Sequence, residues 1–311
     1  MVLAALSFIA PSFTTVSSNC TSSAIGRPAV FGAEVLNINT AAVTDFEGIA
    51  GNDVCSVTIT ITHPGTGDRV NNYIFLPLHG WNGRFQGIGG AGFAAGIVSA
   101  SANGTALGFS TGTTDAGLPT DSASSAVDAS SWALLSPGNV NQNLLLNYAH
   151  RSYHDMTVIG KAVTASFYGG PPKYSYWNGC STGGRQGLAM AQYYPSDYDG
   201  IIAGAPVIQW NDMAMGIQWP YIVENNEGYA PSPCEFDAVV AAVVRTCDHL
   251  DGVVDGIISA PGLCDFSAQS LVGRPYVCDT DGSTRTFTHK AATVVDKIWQ
   301  GPRTPDNEFL W

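Results

Sequence analysis

Residues Tyr174 to Gly187 read Y-S-Y-W-N-G-C-S-T-G-G-R-Q-G, an apolar run that breaks at Gly179-Cys180-Ser181-Thr182-Gly183 and resumes at helical spacing through Leu188, Ala189, Met190 and Ala191. The pattern predicts a strand, a tight turn and a helix with a serine at the apex, and so an α/β architecture. Glycines flank such a serine because the backbone is strained there and neighbouring strands and helices crowd the turn, leaving the hydroxyl exposed above the sheet. The helix starts directly behind the serine. Its unsatisfied N–H groups and positive dipole end suit an oxyanion developing on an attacked carbonyl. Ser181 is therefore the candidate nucleophile; the competing reading is a serine that merely fills a glycine-rich turn.

With 311 residues and 45% hydrophobic content, the chain has material for one large core plus an insertion, or for two modest domains. A formal net charge of -12 with only 12% charged residues provides no basic stripe for phosphates, which argues against nucleic acid or an anionic membrane as partner. Low charge with abundant Gly, Ser, Thr and Asn suits a secreted hydrolase. Residues 1–18, apolar from Met1 to Ala10 and then small and polar, read as a signal peptide cleaved before Asn19. That stretch is too short to span a bilayer, and no later one is long and apolar enough. Asn19-Cys20-Thr21 and Asn103-Gly104-Thr105 are possible glycan acceptors. Seven cysteines, Cys20, Cys55, Cys180, Cys234, Cys247, Cys264 and Cys278, form no C-x-x-C pattern with histidine partners and fit an oxidising compartment. The odd number leaves one unpaired.

Along the chain, the alternating run Val54 to Ile61 and the stretch Asn72 to Leu76 predict a hairpin around Pro64-Gly65-Thr66-Gly67-Asp68. From Trp81 to Phe93 an apolar strand runs out into clustered glycines whose backbone N–H groups are accessible to a ligand. This run resembles the second arm of an oxyanion hole, in which one donor follows the nucleophile and the other comes from such a loop. Thr182 N–H and Gly92 N–H are the candidates. Residues 143–167 carry apolar positions at helical spacing, with His150 and His154 read as structural because they precede the serine. Residues 199–206 predict the next buried strand. The expected organisation is thus a core over residues 19–206 and a separate, disulfide-rich lid over residues 207–311.

Within the lid, Cys247-Asp248-His249-Leu250-Asp251-Gly252-Val253-Val254-Asp255-Gly256-Ile257 places aspartates at i, i+3 and i+7. Two glycines disfavour a helix, so a curled loop pointing carboxylates and carbonyls inward is expected, and such hard oxygen ligands suit Ca²⁺. The spacing is not that of an EF-hand, and a solvated acidic turn is the alternative. Cys247 and Cys264 flank the loop; a bond between them would close it.

Four stretches together resemble the tannase and feruloyl esterase family of secreted alpha/beta-hydrolases: W-N-G-R-F-x-G-I-G-G-A-G-F from Trp81, G-C-S-T-G-G-R-Q-G from Gly179, Y-P-x-D-Y-D-G-I-I-A-G-A-P from Tyr194, and C-D-x-x-D-G-V-x-D-G-I-I from Cys247. The resemblance implies an α/β fold, an alpha/beta-hydrolase core with its last strands missing and an inserted disulfide-rich lid. It implies Ser181 as nucleophile and a structural calcium ion held by Asp248, Asp251 and Asp255 side chains with the Val253 and Ile257 carbonyls. In that family a cysteine preceding the serine pairs with one following the catalytic histidine. Cys180 matches the first, but no His-Cys dipeptide follows it, and neither His249 nor His289 sits where a general base is expected. The family's catalytic aspartate and histidine lie beyond the lid, so a truncated version is expected, with Cys180 unpaired and Cys20–Cys55, Cys247–Cys264 and Cys234–Cys278 bonded. The implied function is a secreted serine carboxylic-ester hydrolase cleaving esters of feruloyl or galloyl-like acids, small or borne on plant cell-wall or tannin material. The alternative is a calcium-binding remnant without turnover.

Overall fold

Runs of β-branched and aromatic residues build the frame on which everything else rests. In the computed structural model, which describes residues 20–119 and 128–310, β1 (Glu34–Val43), β2 (Val54–Thr62) and β3 (Val70–Pro77) form an antiparallel meander. The expected leader over residues 1–18 and the Asn19 sequon lie outside the described residues. β4 (Arg84–Ile88), β5 (Ser110–Thr114), β6 (Tyr174–Cys180) and β7 (Gly200–Gly204) complete a seven-stranded sheet in the order β1-β2-β3-β5-β4-β6-β7. β5 joins antiparallel to β3, whereas β5–β4, β4–β6 and β6–β7 are parallel. Parallel strands need helical crossovers. β7, expected to be a buried strand, is instead half-exposed with Ile202 63% accessible, because it is the last strand of the sheet and has a neighbour on one side only. Helix α1 (Ser152–Tyr168), continuous with a wider turn over Asn147–Arg151, feeds β6, and α2 (Thr182–Tyr193) runs from β6 towards β7.

Helix α1 buries Met156, Ile159 and Val163 against Phe85 and Ile74, a set worth about 1.5–3 kcal/mol per fully buried side chain. It lies close to the sheet at Gly160, where an added Cβ would lie 2.5 Å from the Phe85 ring. Under the elbow, Trp177 is fully buried and donates its indole N–H to the Gly183 carbonyl at 2.9 Å. A Cys20–Cys55 disulfide ties the start of the described chain to β2.

The chain divides between Ile208 and Gln209 into two compact units. The second contains α3 (Trp210–Glu227), α4 (Pro233–Cys247), the short hairpin β8 (Pro275–Val277) and β9 (Thr284–Thr286), and α5 (His289–Gln300). A capping box of Ser232 and Glu235 starts α4. This unit has its own core of Val239, Ala242, Leu271, Phe287, Ala291 and Val295, and its own bonds Cys234–Cys278 and Cys247–Cys264. Cys180, in the first unit, is unbonded and exposed.

Candidate functional site

The local sequence folds into the elbow because β6 stops at Cys180 and α2 starts at Thr182, leaving Ser181 alone to turn the chain. Ser181 has φ 58° and ψ -120°, a region that side-chain-bearing residues seldom occupy and that persists only when the surroundings enforce it. Two bonds do so: Ser181 N–H donates to the Gly204 carbonyl of β7 at 2.9 Å, and its own carbonyl accepts from Arg185 N–H at 3.1 Å in the first turn of α2. The turn is also crowded. A Cβ on Gly179 would lie 2.2 Å from the Gly183 carbonyl oxygen, and one on Gly89 would lie 2.5 Å from Gly183 Cα, so no other residue fits at either position without moving the backbone.

Gly89 opens the glycine run after β4, and the elbow helix grips that run at several points. Gly183 N–H donates to the Gly90 carbonyl at 3.0 Å, and the Thr182 and Tyr148 hydroxyls both donate to the Gly92 carbonyl at 2.7 Å. Ser181, Thr182 and Gly92 are thereby brought together. Thr182 N–H occupies the first helical position, which has no intrahelical acceptor. Among the described residues no acceptor takes the Gly92 N–H. Beside Ser181 opens a cleft of ≈410 Å³ lined by Gly89, Gly90 and Ala91, by the apolar Ile88, Ile97, Ala100 and Leu107, and by the amides of Gln86, Asn103 and Asn178.

Of the four histidines that precede Ser181, His79 is exposed in the bend after β3 and the other three are engaged elsewhere. His154 Nδ1 pairs with Asp197 Oδ2 at 2.7 Å, which raises its pKa, and its ring stacks on Tyr194. Asp197 and Tyr194 follow the C-terminus of α2, a helix of 12 residues, so they stand about 18 Å of helix rise from the Ser181 end. His150 Nδ1 meets the Tyr194 hydroxyl at 2.9 Å, and burial lowers its pKa. His63 is bound on both ring nitrogens, by Asp68 at 2.6 Å and Asp155 at 3.0 Å. These bonds, with Asp155 foremost, push its pKa up to about 9. Burial alone would raise the Asp68 carboxyl, but hydrogen bonds from His63, Asn147 and Thr66 hold it far below the usual range. His249 and His289 lie in the second unit, in the turn Asp248–Asp251 and at the start of α5.

The acidic stretch is a curled loop, entered through that 3₁₀ turn, with Gly252 and Gly256 at φ 93° and 83°. Its carboxylates turn onto their own backbone: Asp248 accepts from Gly256 N–H at 3.1 Å, Asp251 from Ser259 N–H at 2.7 Å and Val253 N–H at 3.0 Å, and Asp255 from Ile257 N–H at 3.0 Å. Among the described residues no three His, Cys, Asp or Glu side chains are gathered as a metal site requires. The donor set, three carboxylates and the Val253 and Ile257 carbonyls on one closed loop, is nevertheless of the hard oxygen kind that calcium takes. Calcium therefore rests on donor chemistry alone.

The family model described as tannase and feruloyl esterase matches residues 55–308, which include the elbow, the glycine run and the acidic loop. The chain belongs to the tannase and feruloyl esterase family. A probable feruloyl esterase of Arthroderma benhamiae is 42% identical over 307 residues, covering 95% of this chain and 56% of that protein. A tannase of Aspergillus oryzae is 36% identical over 238 residues, covering 75% of this chain and 40% of that protein. The solved tannin acyl hydrolase of Aspergillus niger superposes with a TM-score of 0.83 at 28% identity, covering 96% of this chain and 57% of that one. The chain thus spans about half the length of the relatives it matches. The family's alpha/beta-hydrolase fold accounts for the mixed sheet and the strand–serine–helix turn.

Sequence reasoning passed over two groups of this family member. Gln186 sits between Arg185 and Gly187 in a motif read for its serine, although a polar residue on the buried face early in a glycine-rich helix is itself a signal. Asp68 lies in a stretch read only as a turn and His63 directly before it, and the second partner of His63, Asp155, lies 92 positions away.

Proposed function

We propose that the chain carries the nucleophile unit of a secreted serine carboxylic-ester hydrolase acting on esters of aromatic acids of the feruloyl or galloyl kind. The observation that carries this reading is the convergence at one strained turn: Ser181 at the apex, Thr182 N–H at the free start of α2, and Gly92 held against Thr182. Ser181 Oγ attacks the ester carbonyl and becomes acylated. The amides of Thr182 and Gly92 hold the oxyanion, the serine's proton ends on the departing alkoxide, which leaves as the alcohol, and water then cleaves the acyl-enzyme to release the acid and restore Ser181. The reading assigns no general base among His63, His150 and His154: His63 is bound on both ring nitrogens, by Asp68 and Asp155, and the Nδ1 atoms of His150 and His154 are held by Tyr194 and Asp197 beyond the far end of α2. Aromatic esters are supported by the apolar wall of the cleft and by relatives named for feruloyl esters and tannin. Three disulfides fit an oxidising compartment, and no helix among the described residues is long and apolar enough to cross a membrane.

In the same proposal Asp248, Asp251 and Asp255, with the Val253 and Ile257 carbonyls, hold a structural Ca²⁺. Bound there, the ion would crosslink the loop by charge and coordination. Its test is thermal unfolding of the second unit: Ca²⁺ at about 100 times its Kd should stabilise by about 2.7 kcal/mol, and Asp251→Asn should abolish the response.

The esterase reading is tested by intact mass after incubation with an activated aromatic ester or a serine-directed phosphonate. A stoichiometric adduct that maps to Ser181 and vanishes in Ser181→Ala is expected. A folded protein that takes no adduct sinks the reading.

A further inference from the structure

We infer that Gln186 is a positioning residue that fixes the second arm of the oxyanion hole against the nucleophile helix. The inference rests on the esterase reading above and names a part for which that reading has no role.

Gln186 is completely buried, five residues beyond Ser181 on α2. Its side-chain amide has one acceptor oxygen and two donor protons, and all are spent. Oε1 accepts from Gly90 N–H at 2.9 Å, while Nε2 donates to the Ala95 carbonyl at 3.0 Å and to the Tyr153 hydroxyl at 2.6 Å. Gly90 and Ala95 bracket Ala91 and Gly92. One side chain on the nucleophile's own helix therefore holds both ends of the segment that supplies the proposed oxyanion donor. Tyr153 in turn donates to the Tyr148 carbonyl at 2.8 Å, and Tyr148 donates its hydroxyl to the Gly92 carbonyl, so the middle of the segment is fixed by the same group of side chains.

The chemistry admits little substitution. The site needs an acceptor for Gly90 and a donor for Ala95 on one planar group. Leucine or methionine supplies neither, and an ionised glutamate turns a second negative oxygen towards the Ala95 carbonyl. The Gly90 amide is consumed in holding the loop, which leaves the following amides for the substrate. Because an oxyanion donor acts only where the charge develops, a displacement of about 1 Å is enough to lower the rate by about 100-fold without disturbing ground-state binding.

The experiment uses the 311-residue protein, its Gln186→Met variant and its Gln186→Glu variant, all shown to be folded by near-ultraviolet circular dichroism. Acylation by a p-nitrophenyl ester of an aromatic acid is followed over a range of ester concentrations, giving the acylation rate constant separately from the apparent affinity. Hydrogen exchange at the Gly90 amide is read in parallel. For Gln186→Met the rate constant should fall about 10- to 100-fold with affinity within about 2-fold, and Gly90 exchange should accelerate at least about 10-fold. Gln186→Glu should regain rate relative to the parent as pH falls and its carboxyl takes up a proton, because the neutral acid restores a donor. A residue that only fills the core would show neither that pH profile nor the split between rate and affinity. Unchanged Gly90 protection, or an unchanged rate constant, in folded Gln186→Met overturns the inference. If Gln186→Met does not fold, Gln186→Glu carries the same tests. If the parent protein takes no acyl group at all, the esterase reading fails on that result, and the Gly90 exchange still decides whether Gln186 holds the loop.

Discussion

The elbow and the acidic loop are both tight turns with residues at positive φ, yet they are held in opposite ways. At the elbow the securing bonds cross the chain: Thr182 to Gly92 spans 90 positions, Gln186 to Ala95 spans 91 and Gly90 to Gln186 spans 96. In the acidic loop, Asp251 reaches Val253 two positions away, and Asp248 and Asp251 reach Gly256 and Ser259 eight positions away. An added Cβ at Gly179 meets backbone at 2.2 Å, whereas nothing lies within 4 Å of one at Gly252 or Gly256. The elbow is fixed by its surroundings and the loop by itself. A reacting group needs the first arrangement, since geometry imposed from several directions cannot relax. The second suits the proposed ion site, because carboxylates held only by their own backbone can exchange partners without disturbing a core.

That contrast is open to attack, beginning where the effect is largest. His63→Ala should cost about 3–5 kcal/mol in denaturant unfolding, because it leaves Asp68 and Asp155 buried without their shared cation. In the parent this contribution is fully present below the unfolded histidine value of 6.5 and fades as pH rises through about 9. Stability should therefore decline over that window in the parent and not in His63→Ala; parallel pH profiles would remove His63 from the long-range group. Next, Gly179→Ala should lower stability by about 3 kcal/mol through backbone overlap, measured as the unfolding midpoint of the first unit. The double replacement Cys247→Ser and Cys264→Ser opens a bond with a sequence separation of 17, which loop-closure entropy values at about 2–3 kcal/mol. Proteolysis should then quicken in the second unit and leave the first unchanged; quickened cleavage around Ser181 would break the comparison. Smallest is Gly252→Ala, about 1 kcal/mol for a left-handed backbone with ample space around it, read as a small shift in the second unit's melting temperature.

The same contrast explains what the sequence revealed. The turn at Ser181 is written in consecutive residues, since a strand pattern, two flanking glycines and a helical pattern adjoin. The curl of the acidic loop follows likewise from Gly252 and Gly256, which disfavour a helix there. Cysteine arithmetic left one thiol over, and the structure leaves Cys180 unbonded. Hidden from that reading was whatever depends on strands meeting out of order. β5 inserts between β3 and β4, and that order brings the glycine run beside α2. The partners of Gln186 and His63 are then set by topology, and no local pattern announces them. The acidic loop is the converse: its oxygen donors are legible in sequence, while its side chains have settled on backbone amides.

Trp177 gives the elbow an optical gauge. Its indole is sealed beneath the turn and donates to the Gly183 carbonyl, the residue whose N–H holds Gly90, so anything that lifts the glycine run or unseats the start of α2 changes the polarity around that ring. Emission from this tryptophan, isolated by replacing the other six, would lie at short wavelength while the nucleophile is in place and move to the red as the turn opens. The poise of the serine can then be followed by light in the absence of any substrate.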